Sequence, residues 1–164
     1  MSNDNQDYGT HCAHRCPCSG SGSVFLSGFQ AQLDDAANRR VEDTHNVLFN
    51  RVTSRASSDI TYSSATGEFT LCANKNYYVS WWTAVNGTET APIIEIAAVV
   101  DGVCVAIATS PQVTCQLSGT ALISARRVSQ TLSIMNITGD PIRYAATSIQ
   151  ANIVIMELVQ RHCT

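Results

Sequence analysis

VLFNRVTSRASSDITYSSATGEFTLCANKNYYVSWW, residues 47–82, consists of short β-branched and aromatic runs separated by turn residues. That is the punctuation of an all-β protein. Within and around it, strands are predicted at 46–51, 58–62, 67–72 and 76–86, and ATGE supplies the glycine a turn needs where φ must be positive. The pattern extends outward to strands at 24–30, 92–100, 103–108, 113–124, 130–136 and 149–159, with VNGT, VDGV and TGDP as further turns. Only AQLDDAANRRVEDTH, residues 31–45, lacks a clear pattern and reads as a short helix or a polar loop. Roughly ten short strands with almost no helix predict a two-sheet sandwich, most economically a jelly roll.

A chain of 164 residues is one domain of ordinary size, able to bury a core without disulfides. Charged residues make up 14%, well below the ~25% of a typical soluble domain. The surface is therefore expected to be uncharged and polar, or partly buried in an assembly. Lys75 is the only lysine, arginine occurs nine times, and the net charge of -3 offers no basic field, so no nucleic acid is expected as a partner. No run of 18 apolar residues occurs, so no membrane span is expected. The first ten residues, MSNDNQDYGT, have neither a basic n-region nor an apolar h-region, and synthesis in the cytoplasm without a signal peptide is the expectation.

The chain divides at SGSGS (19–23), a Gly/Ser stretch of linker composition. Residues 1–23 form a flexible Cys/His-containing arm, and residues 24–164 form the jelly-roll body. The arm carries HCAHRCPC at 11–18. Its His11, Cys12, His14, Cys16 and Cys18 are too compressed for the two separated knuckles of a structural zinc site, although they offer the right ligands. A thioredoxin-like reading needs Cys-x-x-Cys at a helix start in a βαβ context, and both are missing. An inert tail and an intersubunit or arm-to-body cross-link remain. The linker gives the arm reach and three thiols give it redundancy, which favours the cross-link.

All seven cysteines are cross-linking candidates: Cys12, Cys16, Cys18, Cys72, Cys104, Cys115 and Cys163. Cys72 closes a strand and Cys163 lies near the C-terminus, so both are expected to be exposed. Cys104 and Cys115 lie inside apolar strands, either as small buried hydrophobes or paired with each other or with the arm. An odd count leaves at least one thiol for intermolecular pairing or for none.

Two strands have apolar residues on both faces, whereas a sandwich strand needs only one. In 149–159, Ile149, Ala151, Ile153 and Ile155 oppose Val154, Met156 and Leu158; in 92–100, Ile94, Ile96 and Ala98 oppose Ile93, Ala97 and Val99. If each strand buries an extra ~200 Å2 against a neighbour, the gain is of order 10 kcal/mol before association costs. Oligomerisation is the expectation, with Ile93, Ala97, Val99, Val154, Met156, Leu158, Trp81 and Trp82 as interface candidates. The aromatic strand holding Tyr77, Tyr78, Trp81 and Trp82 reads as core on one face, with tryptophans marking an interface and a carbohydrate site as the alternative.

No enzyme is expected, and neither a metal nor a cofactor. The body contains only His45 and His162, too few for the His-x-His, Glu and His set of a metal-binding cupin. No Gly-x-Ser-x-Gly elbow, phosphate loop or HExxH occurs. Asp34 and Asp35 beside Arg39 and Arg40 read as a solvated charged turn.

The stretch 47–82 resembles the signature of complement-type globular heads and tumour-necrosis-factor-like jelly rolls. There an I-x-F strand precedes Y-x-x-x-T-G-x-F-x-x-P-x-x-G-x-Y-x-V, matched here by Leu48, Phe49, Tyr62, Thr66, Gly67, Phe69, Tyr77, Tyr78 and Val79. LSGTALISARRVSQTLSIMNITGDPI and ANIVIMEL match the later strand pair and the closing strand. Two features depart from the pattern: Ala73, Asn74, Lys75 and Asn76 replace Pro-x-x-Gly, and no Gly-X-Y stalk occurs. Within that superfamily the body is most similar to the C-terminal domains of collagen-like exosporium glycoproteins of spore-forming Firmicutes. The arm resembles the connectors of endospore appendage subunits, which reach into a neighbouring subunit and are held by disulfides. The resemblance implies a homotrimer or filament on a spore surface, with other spore-coat or exosporium proteins as further partners, exposed and oxidised after mother-cell lysis. A second reading is a recognition module that binds a glycan or host protein through loops 86–91 and 137–142.

Overall fold

The computed structural model describes residues 27–158. The arm, with Cys12, Cys16 and Cys18, and Cys163 lie outside the described residues, as does the predicted strand start at 24–26. The elements, in chain order, are β1 (Gly28–Asp34), β2 (Arg40–Val41), β3 (Arg51–Arg55), β4 (Ile60–Ser63), β5 (Glu68–Leu71), β6 (Lys75–Thr88), β7 (Ile94–Val100), β8 (Val103–Ser110), β9 (Thr114–Ala125), β10 (Gln130–Asn136), β11 (Ile142–Tyr144) and β12 (Ile149–Leu158). No helix occurs among the described residues. One sheet runs β2-β11-β6-β12-β1-β3, with β9 on the free side of β6; the other runs β4-β5-β10-β7-β8. Every pairing is antiparallel. This is the two-sheet jelly roll the sequence predicts.

The opening stretch explains itself through one aromatic cluster. Gly67, at φ +74°, turns β4 into β5 with its amide on Ser63 O. A Cβ there would come within 2.9 Å of Val47 O and Leu48 Cδ2, so both the turn and the packing require glycine. The turn brings Tyr62 over Phe69 at 4.4 Å, and Phe49 and Phe29 pack on Phe69 at 5.9 and 5.6 Å. Tyr62 donates its hydroxyl hydrogen to Phe49 O at 3.0 Å, and burial pushes its pKa up to about 12. Phe29 comes from β1 and Phe69 from β5, so the cluster clasps the two sheets together.

Two expectations need correction, and two short strands were not expected. Residues 46–51 do not form one strand. Asn46 bridges Met135 in one sheet while Arg51 already pairs with Gln32 in the other, so the chain between them crosses the sandwich and buries Val47 and Phe49 as it does so. Residues 31–45 contain no helix. Ala31 and Leu33 are buried as alternate residues of β1, and β2 follows after a turn. β2 and β11 were not legible at all, being two and three residues long. Tertiary pairing defines them: β2 exists by pairing with β11, and β11 by pairing with β2 and β6.

Candidate self-association surface

Strict alternation gives the seven-stranded sheet a buried and an outer face. Tyr77, Val79, Trp81, Ile153, Ile155, Leu117 and Ile123 fill the core. Their neighbours face outward, and the register places them in rows across β1, β12, β6 and β9. One row reads Gly28, Met156, Tyr78, Leu122; the next reads Gln30, Val154, Ser80, Thr120; a third reads Gln32, Asn152, Trp82, Ser118. Leu122 is 76% exposed and Leu158, at the end of β12, 44%. Trp82, Tyr78, Val154 and Met156 are half-buried. No charged residue interrupts these three rows.

A hollow of about 110 Å3 lies on this face, lined by Gly28, Gln30, Ser54, Val154 and Met156 among others. It exists because Gly28 passes so close to β12 that a Cβ would sit 2.6 Å from Ile155 O. A continuous apolar row beside such a hollow is the chemistry of a protein–protein contact, since monomers seldom expose contiguous apolar patches without use.

A second apolar surface lies at the edge of the other sheet. Val103, Val105 and Ile107 of β8 are 65, 46 and 55% exposed. The terminal strands β2 and β4 are two and four residues long, and β3 carries Arg51 and Arg55. Short or charged edges resist pairing. β8 has eight residues and no charge and is the long, uncharged edge of its sheet, with β9 of the other sheet beside it.

The predicted interface residues therefore separate. Trp82, Val154, Met156 and Leu158 share the outer face. Trp81 does not belong with them: at 1% exposure, one position along the strand from Trp82, it lies in the core. Ala97 and Val99 are 0 and 5% exposed, Ala97 lying between the larger Met135 and Ile107 in the register, so neither offers area to a second copy. Ile93 is exposed but precedes β7, on the other sheet. Leu122, Val103, Val105 and Ile107 were not singled out in the sequence, and Tyr78 was marked only as part of the aromatic strand and the motif. The row that joins Tyr78 to Leu122 becomes legible only once β6 is paired with β9.

The described cysteines are distributed differently from the sequence expectation. No disulfide joins Cys72, Cys104 and Cys115. Cys104 is exposed, where a register shift between Ala98 and Val99 displaces the start of β8. Cys115 is partly buried against the core, opposite Val85. Six residues of β8 separate Cys104 from the Ser110 end, where β9 and Cys115 begin. That is ~20 Å of strand against a disulfide limit of ~7 Å between Cα atoms, so the two do not pair with each other. Cys72 lies where β5 ends and β6 begins, and its carbonyl accepts the Tyr77 hydroxyl at 3.1 Å. At that same end Lys75 bridges Asp59 and Glu157, and Glu157 accepts from Ser27. The described residues therefore begin and end beside Cys72, with Cys104 at the same end of the sandwich. Among the described residues no cluster of three His, Cys, Asp or Glu is placed to hold a metal.

At the opposite end, Asp140 accepts hydrogen bonds from the backbone amides of Glu89, Thr90 and Ala91 at 2.8, 2.6 and 3.0 Å. Those bonds hold its pKa below the ordinary carboxylate value. Asn136, fully buried, donates to Val41 O, Glu42 O and Asp140 O and binds this end together. A depressed carboxylate pKa gives stability that is present at neutral pH and lost only as pH falls through the folded value. The amides of 89–91 are therefore expected to be protected from hydrogen exchange at neutral pH. They should lose protection below the ordinary carboxylate range, or at neutral pH in Asp140→Ala.

The chain matches no family model and no curated protein sequence. Its fold matches solved structures over most of its length. The globular domain of zebrafish complement 1qA protein aligns with a TM-score of 0.57 at 16% identity, over 84% of this chain and 99% of that one. Eiger TNF from S. frugiperda aligns at 0.58 and 11% identity, over 84% and 95%. Pika GITRL aligns at 0.50 and 13%, over 82% and 98%. At such identities the likeness concerns architecture alone: this body is a jelly roll of the tumour-necrosis-factor and complement globular-domain type.

Proposed function

We propose that the protein is a non-enzymatic structural subunit that self-assembles, as a trimer or a fibre, on a bacterial spore surface, with its N-terminal arm coupling neighbouring subunits through disulfides. The observation that carries this reading is the uncharged row Met156–Tyr78–Leu122 on the outer sheet face, flanked by Val154 and Trp82. The face and the β8 edge are different surfaces. Contact between the face of one copy and the edge of the next is heterologous, and it generates a closed ring or an open filament according to the rotation between copies. The placement of Cys72 and Cys104 at the end where the described residues begin and end supports coupling by the arm. Twenty-six residues precede the described body, and such a length reaches at most ~85 Å when extended, enough to touch an adjacent copy. The spore-surface assignment rests on the sequence resemblance of body and arm.

Deleting residues 1–18 is expected to leave a folded body that sediments as a small oligomer, while the full chain forms larger species. Under non-reducing electrophoresis the full chain should give a ladder that collapses with reductant. Polymers of unchanged size after the deletion would refute the connector role. The alternative, a recognition module, is favoured by one observation: Asp140 fixes loop 86–91 against loop 137–142, so both are preformed. A glycan array on which the full chain binds one class of sugar, and loses it on substitutions in these loops, would favour that reading.

A further inference from the structure

The segment with no legible sequence pattern, residues 31–45, walls a cleft of about 210 Å3 between β1, β2 and β11. Its floor is Leu33, Ala36, Val41 and the ring of Tyr144, and Leu48 stands at its rim 46% exposed. Backbone strain gathers around it. Of the five non-glycine residues at positive φ, Asp35, Asn38 and Thr44 belong to its walls and their turns. Thr44, at φ 60°, is β-branched, for which this conformation is a true outlier. Strain of this kind persists where the surroundings over-determine it and gathers at ligand sites.

The polar groups of the cleft are unevenly satisfied. Arg40 pairs with Glu42 and Glu89, so the Glu42 carboxylate in the lining already has a cationic partner, which it shares with Glu89. Arg39 lines the cleft with no carboxylate within 4.0 Å among the described residues. His45 Nδ1 lies 3.0 Å from Asp43 O, a carbonyl that only accepts, so Nδ1 carries the hydrogen and the ring is fixed with Nε2 unused by that bond. Asn46 donates Nδ2 to Thr66 O at 2.9 Å, while its Oδ1 is buried with no partner.

We propose that this cleft binds a small carboxylic acid with an apolar body, the carboxylate on the Arg39 guanidinium and the body on Leu33, Val41, Leu48 and Tyr144. The charge decides the class: of the charged side chains lining the cleft, Arg40 and Glu42 pair with each other, and Arg39 alone has no carboxylate partner among the described residues. The volume decides the size, since it falls below the ~300 Å3 at which drug-sized sites begin. A single aromatic ring or branched chain fits, and an oligosaccharide does not.

The test titrates phenylacetate into the full-length protein, followed by backbone amide NMR, alongside uncharged phenylacetamide and the variants Arg39→Gln and Leu48→Asp. Saturable binding should shift the amides of 36–48 and 144. A hydrogen bond to a charged partner is worth ~1.5–3 kcal/mol, so affinity should fall roughly tenfold or more for the amide and for Arg39→Gln. Leu48→Asp, changing a rim residue 46% exposed, should fold normally and abolish binding by charge. Equal binding of acid and amide would overturn the carboxylate assignment. Shifts confined to other residues, or no saturation at tens of millimolar, would overturn the site itself.

Discussion

Trp81→Ala is expected to lose about 3–5 kcal/mol of unfolding free energy, whereas Trp82→Ala should lose less than about 1 kcal/mol. The two are chain neighbours of identical chemistry, and only the direction of the side chain separates them. Trp81 is fully enclosed, with its ring against Gly119 of β9. A Cβ on Gly119 would sit 2.7 Å from Trp81 Cζ2, which shows how closely the paired strand approaches the indole. Removal of the ring opens a cavity that the sandwich does not close, and a loss of this size is a large part of the ~5–15 kcal/mol of a typical domain. Trp81→Phe should cost much less, because the indole Nε1 is buried with no acceptor and phenylalanine carries no donor to strand. Gly119→Ala should destabilise the native chain by overpacking and do so less in the Trp81→Phe background, a coupling that a double-mutant cycle in urea measures directly. Equal losses for Trp81→Ala and Trp82→Ala would contradict the assignment of the two faces.

Met156→Asp combined with Leu122→Asp should weaken self-association at least about a hundredfold while moving the melting temperature by only a few degrees. Both residues lie on the outer face, in one row with Tyr78 between them, so charge there is solvated in the single copy and desolvated in the assembly. Val105→Asp with Ile107→Asp, on the β8 edge, should have the same effect if the edge of one copy meets the face of the next. Mixing the two double variants then gives a decisive result. A heterologous contact leaves one intact pairing, face of one variant against edge of the other, and analytical ultracentrifugation should find dimers that stop growing. An isologous face-to-face contact would instead leave the edge variant dimerising with itself, whether or not the face variant is present, and would require the proposed geometry to be abandoned.

The fold class was legible because its signals are local. The period of two in 149–158, the β-branched bursts and the glycine of ATGE each act within a few residues, and they marked eight of the ten predicted strands close to their observed positions, with the strand predicted at 24–30 observed at Gly28–Asp34. The tenth prediction, 46–51, failed because a crossing between sheets also buries alternate residues, Val47 and Phe49, without forming a ladder. Tyr62, Thr66, Gly67 and Phe69 were recognisable as a motif, and their reason, a clasp on Phe29 and Phe49, is a matter of contacts distant along the chain.

By itself, then, the amino-acid sequence determined that this chain forms β-structure, where most strands lie, and that it carries more apolar surface than one sandwich conceals. Tertiary structure decided which of those residues face outward together. Alternation gives each strand two faces, but only pairing states which face meets the core and which strands lie side by side. That choice put Trp81 inside and Trp82 outside, enclosed Ala97 and Val99, assembled Met156, Tyr78 and Leu122 into one row, and folded the patternless residues 31–45 into the wall of a cleft. The physical reason is that an exposed face is a property of the register between strands, and register is fixed by contacts that no local stretch of sequence contains.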